Sequence, residues 1–287
     1  MRDQILKVVL IIILLQSFSY SQSSFLPDEA IIELGDGWYK TSAWVSIHDD
    51  MTMGQAREKA KVKALKNIVE YYCGVEVSST SLSIVAESNL QIGIDHFSQI
   101  TNTMSQGLIL KKEIIEARQS LYNDESIYTV TLKAKTGKIA GERDPLFKIE
   151  ANLNREQYQS GDDMVIDISS TKDCFIFVFN ILSDESVISL LPNQYLKNNF
   201  IQKGSSIRLP PEEGIITRFR VGLAEDKSSS SELIMVIGIK AKEDMIAKDF
   251  EMAVGNYNLA LNEIMEFVLR FHRDQIEQVN LHYTIHH

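Results

Sequence analysis

The sequence lacks the motifs that would name a reaction. Its 287 residues contain no HExxH zinc motif, no G-x-S-x-G nucleophile motif, no P-loop and no dinucleotide-binding fingerprint. The six histidines include no pair at ligand spacing with a carboxylate between them. His282 and His286 fall on one face of a predicted strand, where we interpret them as solvent-facing polar side chains. We therefore expect a protein that is not an enzyme and that has no catalytic, cofactor-binding or metal-binding residues.

Cysteine is almost absent as well. Cys73 lies at the end of a predicted helix, and Cys174 lies in a predicted strand far along the chain. An oxidising compartment would permit a bond between them, but their placement in separate predicted domains favours two free thiols. Because a helix C-terminus does not stabilise a thiolate, we do not expect Cys73 to be a nucleophile.

The chain also has no excess of basic residues. It carries 29 Lys and Arg residues against 39 Asp and Glu residues, which gives a formal net charge of −10 at pH 7. An acidic protein of this size repels polyanions. Nucleic acid is therefore not an expected partner.

The start of the chain has the pattern of a secretion signal. Two basic residues precede the unbroken apolar run VVLIIILL (Val8–Leu15), and small polar residues follow it. This run is shorter than the roughly 20 apolar residues that span a bilayer. We expect cleavage after Ser19 or Ser21, so that residues 1–21 are a signal peptide; an uncleaved membrane anchor is the alternative. The mature chain is then expected in the periplasm or outside the cell, with no stable membrane span.

Residues 30–140 have the pattern of a small α+β domain. Gly35–Ile47 alternates as a half-buried strand does, and an Ala-rich amphipathic helix follows, beginning at Asp50 or Thr52 and ending at Gly74. We expect this one main helix to pack on a small antiparallel sheet. The other predicted strands are Val75–Val85, Gly107–Tyr122 and Ser126–Ile139, of which the last two form a long hairpin through the turn residues Asn123-Asp124-Glu125.

Residues 145–287 have the pattern of a β-sandwich that ends in a helix and a final strand. Strand signals recur every eight to twelve residues or so after a short linker, Gly141–Pro145. The strand DCFIFVFNIL is apolar on both faces, which places it in the centre of a sheet. A helical apolar period predicts a helix over Ala247–His272, and alternation from Val279 to Ile285 predicts a last strand that rejoins the sheet.

The first domain resembles a known family. The phrases REKAKVKALKNIVEYYCGVEVSS, SQGLILKKEIIE and YTVTLKAK, with the pair Glu87-Ser88, are similar to the N-terminal domain of the flagellar T-ring protein and to the related small outer-membrane lipoproteins. This resemblance implies an assembly or scaffolding domain of the cell envelope that has no catalytic residues. The chain departs from those lipoproteins because it has no cysteine to accept a lipid.

The second domain resembles the bacterial domain-of-unknown-function family 4384. The resemblance is carried by YQSGDDMVIDISSTKDCFIFVFNILSDESVISLLPN, then by NNFIQKG and IRLP. Glu185 replaces the glycine that usually follows the hairpin aspartate. The family implies no enzymatic activity, since its catalytic domains, where they exist, are separate modules.

The loop LLPNQYLKNNFIQKG (Leu190–Gly204) is the candidate partner surface. Pro192 ends the preceding strand, Asn193 is suited to cap a turn, and Phe200-Ile201 can pack back onto the sandwich. We predict a structured crossover between the two sheets. Its exposed residues are then Gln194, Tyr195 and Lys197.

Two classes of function follow from these patterns. The first is a non-enzymatic scaffold or accessory of the cell envelope that binds an envelope protein or a glycan. The alternative is a cryptic hydrolase that uses carboxylates on the loops of the β-domain. Two carboxylates about 5 to 10 Å apart in one pocket would favour the hydrolase, and an apolar or aromatic patch would favour binding.

Overall fold

The computed structural model describes five parts of the chain, residues 29–73, 108–182, 186–223, 228–240 and 259–287. The predicted signal peptide, the predicted strand Val75–Val85 and residues 247–258 of the predicted C-terminal helix lie outside these parts. The described residues have an α+β fold, as expected. A search of the helices in the described parts finds none with the length and apolar character needed to cross a membrane.

The first region is one helix packed on an antiparallel sheet. Within the described residues the sheet has the strand order β1-β2-β4-β3. The sheet and its helix confirm the predicted layer of one main helix on a small antiparallel sheet. The elements are β1 (Ile32–Gly35), β2 (Trp38–Ser46), α1 (Met53–Cys73), β3 (Leu108–Tyr122) and β4 (Glu125–Gly137).

Helix α1 lies against the sheet because its inner stripe is built from small residues. Ala56, Ala60 and Ala64 have no exposed surface, and neither does Ala43 on the facing side of β2. The helix begins with a capping box, in which the Gln55 backbone donates to Thr52 Oγ1 and the Thr52 backbone donates to Gln55 Oε1. Of the two predicted caps, Thr52 is therefore the one used.

Two tight turns set the register of this sheet. The predicted hairpin of β3 and β4 is confirmed, and its turn residues Asn123 and Asp124 both have positive φ, as a two-residue hairpin turn requires. Glu125 belongs to β4 rather than to the turn. The strand predicted over Gly35–Ile47 is confirmed as β2, but its first residues form a second hairpin, since Asp36 and Gly37 also have positive φ and reverse the chain between β1 and β2.

The second region contains two facing sheets. In the described residues the larger sheet has the order β15-β10-β9-β14-β16-β6 with β11 beside β9, and the smaller has the order β12-β8-β5. Strands β7 and β13 form a separate pair. The strands are β5 (Ile149–Leu153), β6 (Gln157–Gln159), β7 (Asp163–Met164), β8 (Ile166–Ser170), β9 (Cys174–Ile181), β10 (Ser186–Leu191), β11 (Phe200–Ile201), β12 (Ser206–Leu209), β13 (Phe219–Arg220), β14 (Ser229–Ile239), β15 (Leu259–Ala260) and β16 (Ile276–His286).

A dry core fills the space between the two sheets. Ile166 and Ile168 of the smaller sheet belong to the same buried cluster as Ile176 and Val178 of the larger one. Gly238 of β14 marks the closest approach, because a Cβ atom there would lie 2.6 Å from Ile149 Cδ1 and 3.2 Å from Phe147 Cζ. The two sheets therefore pack face to face over a buried core, as the predicted sandwich requires.

The other face of β9 and β14 packs against the first region. Phe177 and Phe179 are fully buried in one cluster with Leu65 and Ile68 of helix α1. Strand β9 thus lies between β10 and β14 and is apolar on both faces, as predicted, although Phe175 is only half-buried. The two regions share this hydrophobic cluster.

The C-terminal helix is shorter than predicted. Among the described residues of the predicted span Ala247–His272, only α2 (Leu261–Val268) is α-helical, and Leu259–Ala260 is a strand that pairs with β10. The apolar spacing misled the prediction because Phe271 reaches the core from a turn, where its ring packs edge-on against Phe267. A single 3₁₀ turn, Arg273–Gln275, then leads into β16.

Candidate binding cleft

A cleft of about 760 Å³ lies at one end of the sandwich. One wall comes from the ends of β9 and β10, and the other comes from the segment Ile215–Gly222. This segment contains only the two-residue strand β13, which pairs with β7 rather than with the larger sheet. The smaller sheet therefore leaves this end of the larger sheet uncovered.

Glu232 forms part of the floor of the cleft. It lies on the inward-facing row of β14, and only 7% of its surface is exposed. Its Oε2 atom accepts hydrogen bonds from the Tyr283 hydroxyl and from Asn180 Nδ2, the latter at 3.2 Å. Its Oε1 atom accepts a longer bond, 3.4 Å, from Ser230 Oγ. The carboxylate is thus held in one orientation by three neutral side chains.

Tyr283 supports this carboxylate from the neighbouring strand. The residue is 2% exposed, and its hydroxyl lies 3.1 Å from Asn180 Oδ1 as well as beside Glu232. Burial, and next the negative charge of Glu232, raise the pKa of Tyr283 far above its usual value. The phenol therefore keeps its proton and acts as a permanent donor to the floor.

The predicted partner loop forms part of the cleft wall. Asn193 caps its turn, because its Oδ1 atom accepts from the backbone N–H groups of Tyr195 and Leu196, both at 2.9 Å. Tyr195 is 49% exposed and lines the cleft, whereas Gln194 and Lys197 are exposed on the loop but outside the lining. The structure thus brings one of the three predicted residues to the cleft.

The loop also crosses between the two sheets. After β10 it adds β11 to the edge of β9, and it then enters β12 of the smaller sheet. Ile201 is buried at 2% exposure, while Phe200 stays 42% exposed and its ring meets Phe175 edge-on at 5.1 Å. Of the two residues predicted to pack back onto the sandwich, Ile201 is therefore the one that is buried there.

Two arginines line the opposite wall of the cleft. Arg218 donates to Asp163 Oδ2 through Nε at 2.9 Å, and both side chains are substantially exposed. Arg220 lies two residues further along and is also exposed. Because exposed ion pairs contribute little to stability, this pair serves mainly to fix the position of the Arg218 side chain.

The cleft lining contains few groups that could serve in acid–base catalysis or bind a metal ion. Among its lining residues Glu232 is the single carboxylate. No group of three or more His, Cys, Asp or Glu side chains in the described parts of the chain is placed to hold a metal ion. His282, on the exposed face of β16, points away from the row that contains Tyr283.

Cys174 is a buried free thiol in the core of the sandwich, and it does not line the cleft. Its Sγ atom donates to Ser170 Oγ at 3.2 Å. Burial raises the pKa of Cys174 to about 11, well above that of a reactive cysteine. The side chain of Cys73 lies outside what the structure describes.

A family model matches the part of the second region that contains most of the cleft lining. Residues 157–237 match the family model described as "Domain of unknown function (DUF4384)", which confirms the resemblance of the second region. The match includes Asn180, Tyr195 and Glu232 but ends before Tyr283. The resemblance of the first region to the flagellar T-ring domain has no support from these comparisons. No curated protein matches the sequence.

The sequence pattern does not single out the residues of the floor. Glu232 begins the apolar run ELIMVIGIKA, and Tyr283 is one member of the alternating row Val279–Ile285. One local signal was available, because Glu232 has the same parity as Ile234 and Val236, which face the core. A carboxylate on the buried parity of a strand needs a partner, and that need indicates a polar site.

Proposed function

We propose that this protein is a non-enzymatic accessory or scaffold of the cell envelope that binds a partner through the cleft. The observation that carries the proposal is the cleft itself, with the exposed ring of Tyr195 on one wall, the exposed side chain of Ile215 on the other and a buried carboxylate between them. Concave sites with apolar walls and a few fixed polar groups are typical of binding sites.

The cleft favours binding over hydrolysis. A glycosidase of the usual kind needs two carboxylates flanking one bond, and the lining supplies Glu232 alone. The donors on Glu232 stabilise its charged form, whereas a general acid needs its neutral form stabilised. A cryptic hydrolase would therefore need groups beyond those that line the cleft.

The location rests on the sequence of residues 1–21. A basic start, a short apolar core and a small-residue exit are the features of an export signal. We propose a periplasmic or secreted mature chain, whose partner is an envelope protein or a glycan. Fractionation of native cells, with detection of the mature N-terminus by mass spectrometry, checks this part of the proposal.

Photo-crosslinking in the native cell tests the binding function. A photoreactive phenylalanine analogue replaces Tyr195 in one strain and Tyr71 in another. Tyr71 is equally exposed, at 55%, but it lies on α1 outside the cleft lining. We expect a discrete adduct from position 195 and none from position 71. No adduct at position 195, together with turnover of a polysaccharide or peptide library by the purified protein, would overturn the proposal in favour of the hydrolase.

A further inference from the structure

We propose that the first region binds the surface of an anionic phospholipid membrane through the outer face of its sheet, which is the face turned away from α1. This outer face carries Trp38 and Lys40 on β2, Lys133 and Lys135 on β4, and Lys111 on β3. The proposal goes beyond the binding function of the cleft, because it concerns a separate surface and a ligand of another class. It rests on the placement of the lysines, on the charge that they leave unpaired, and on the exposed apolar side chains beside them.

The alternation of β2 defines the outer face. Tyr39 and Ala43 are buried in the cluster that α1 shares with the second region, so the alternate residues Lys40 and Ser42 lie on the opposite side of the sheet. Residues directly opposite each other in a ladder share a face, which places Lys133 beside Lys40. The outer face is therefore directed away from the buried cluster that joins the two regions.

Two pairs of lysines lie directly opposite each other on the outer face. Lys40 on β2 is opposite Lys133 on β4, and Lys135, two residues further along β4, is opposite Lys111 on β3. Directly opposite residues have Cβ atoms about 4.5 to 5.5 Å apart, and like charges in such positions destabilise a sheet. An anion that binds between these lysines relieves the repulsion, so the sheet itself favours a negatively charged ligand.

The neighbouring carboxylates neutralise only part of this charge. One member of each lysine pair has a partner: Lys133 lies 2.9 Å from Glu113, and Lys111 lies 3.8 Å from Glu266 of α2. The other member of each pair forms no ion pair within the described parts of the chain. Two positive charges on the outer face therefore remain for a ligand.

The acidic character of the whole chain does not cancel this local surplus. The formal net charge is −10, but salt screens exposed charges beyond a Debye length of about 8 to 10 Å. A ligand on the outer face is thus affected mainly by the charges of that face. The remaining acidic surface is repelled from an anionic membrane, which favours the orientation in which the lysines face the lipid.

Exposed apolar side chains lie beside the lysines. Ile32 on β1 is directly opposite Lys40 and is 52% exposed, and Ile115, which is 51% exposed, lines the same hollow of about 360 Å³. The ammonium group of Lys133 lies 5.0 Å from the centroid of the Trp38 ring. Tryptophan and lysine are typical of membrane–water interfaces, where aliphatic side chains enter the lipid and basic groups contact the anionic headgroups.

The mixing of these residues favours a lipid surface over an acidic protein. In protein interfaces the apolar residues gather in a central patch, and the charged residues lie at the rim. On the outer face Ile32 and Lys40 are instead direct neighbours in one ladder. Lipids move laterally, so an anionic headgroup can come to each lysine while each isoleucine enters the adjoining apolar layer.

Co-sedimentation of the full mature chain with vesicles tests the proposal. The probes are vesicles of phosphatidylcholine alone and vesicles of equal parts phosphatidylcholine and phosphatidylglycerol. We expect at least about tenfold tighter binding to the mixed vesicles, because each lysine near an anionic surface strengthens binding by a factor of about five. Binding to the mixed vesicles should weaken as the salt concentration rises.

A pair of matched double variants locates the contact. Lys40→Gln combined with Lys135→Gln should weaken binding to the mixed vesicles at least about tenfold. The control, Lys148→Gln combined with Lys203→Gln, removes the same charge from exposed lysines of the second region and should bind as the unaltered chain does. Urea unfolding checks both proteins, and the outer-face variant should be at least as stable as the unaltered chain, because it relieves like-charge repulsion.

A third variant separates a lipid surface from an acidic polymer. Ile32→Ser combined with Ile115→Ser removes the exposed aliphatic side chains and leaves every lysine in place. We expect at least about fivefold weaker binding to the mixed vesicles, because less apolar surface enters the lipid. Soluble polyglutamate is the comparison probe, and we expect it to bind more weakly than the mixed vesicles and to be unaffected by this variant.

Three results would overturn the proposal. The first is equal binding of the unaltered chain to the two kinds of vesicle, and the second is an equal loss of binding in the control variant. The third is tighter binding of polyglutamate than of the mixed vesicles with no effect of the isoleucine variant, which would assign the outer face to an acidic protein. Each of these results leaves the cleft function standing, because the crosslink at Tyr195 reports on the cleft of the second region.

Discussion

Tyr283 lies directly opposite Glu232 in the ladder of β14 and β16, and its hydroxyl donates a hydrogen bond to the Glu232 carboxylate. The two residues are 51 positions apart in the chain. Because the edge of the Tyr283 ring also meets Tyr158 at a centroid distance of 5.6 Å, the donor cannot turn away from the carboxylate. The cleft floor is therefore fixed before any ligand arrives.

Tyr283→Phe should destabilise the fold by about 1 to 3 kcal/mol. The substitution keeps the ring and its packing but removes a donor from a buried carboxylate. Urea unfolding followed by circular dichroism measures the change. Tyr195→Phe, at a half-exposed ring outside the core, is the control and should change stability by no more than about 0.5 kcal/mol. Equal stability of the two variants would mean that the Tyr283 hydroxyl does not support Glu232.

Local patterns were sufficient to predict helix α1 and the hairpin of β3 and β4. The four-residue recurrence of alanine in α1 and the turn residues Asn123 and Asp124 each specify an element through neighbours in sequence. The hairpin at Asp36-Gly37 had an equally clear turn signal, but it was read as the beginning of one strand. The error affected only β1. The rest of the predicted strand is β2, which pairs with β4.

The arrangement of the second region could not be predicted in the same way. Strand β16 was expected to rejoin the sheet, but its position between β14 and β6 depends on pairings far apart in the chain. The cleft floor has the same origin. The two donors to Glu232 Oε2 come from β9 and β16, so no window of sequence around Glu232 contains the whole site. Tyr195 is the cleft residue that the sequence predicted, because its loop carries its own capping residue.

Gly238→Ala should destabilise the fold by about 1 to 3 kcal/mol. The added methyl group would lie 2.6 Å and 2.8 Å from two side-chain carbons of Ile149, so the two sheets would have to move apart. Thermal or urea unfolding measures the loss. Gly54→Ala, near the start of α1, adds the same atom with nothing closer than 3.9 Å and should be neutral or slightly stabilising. A neutral result at Gly238 would show that the sheets are less tightly packed than described.

The thiol of Cys174 should make stability fall between pH 9 and 11. Burial raises its pKa from 9.0 to about 11 in the folded chain, so above pH 9 the unfolded chain loses a proton that the folded chain keeps. The stabilisation is fully present below pH 9 and is lost as the pH rises toward 11, at no more than about 1.4 kcal/mol per pH unit.

Unfolding curves of the unaltered chain and of Cys174→Ala, measured at each pH, isolate this contribution. The alanine variant carries a constant penalty for its lost side-chain volume, so the informative quantity is the difference in slope against pH. We expect the unaltered chain to lose stability more steeply above pH 9. Parallel curves would show that the thiol is accessible to solvent in the folded chain.

The position of β16 also has a consequence for how the chain folds. This strand pairs with β14 on one side and, in parallel, with β6 on the other, where Thr284 meets Gln157. Pairings of such long range are entropically costly to begin, so proteins that depend on them fold slowly. In a folding intermediate in which β16 has not yet paired, the apolar strands β9 and β14 are exposed to solvent. Intermediates with exposed apolar strands aggregate readily. We therefore expect the newly made chain to depend on a holding chaperone, which would bind these strands until β16 pairs with β14.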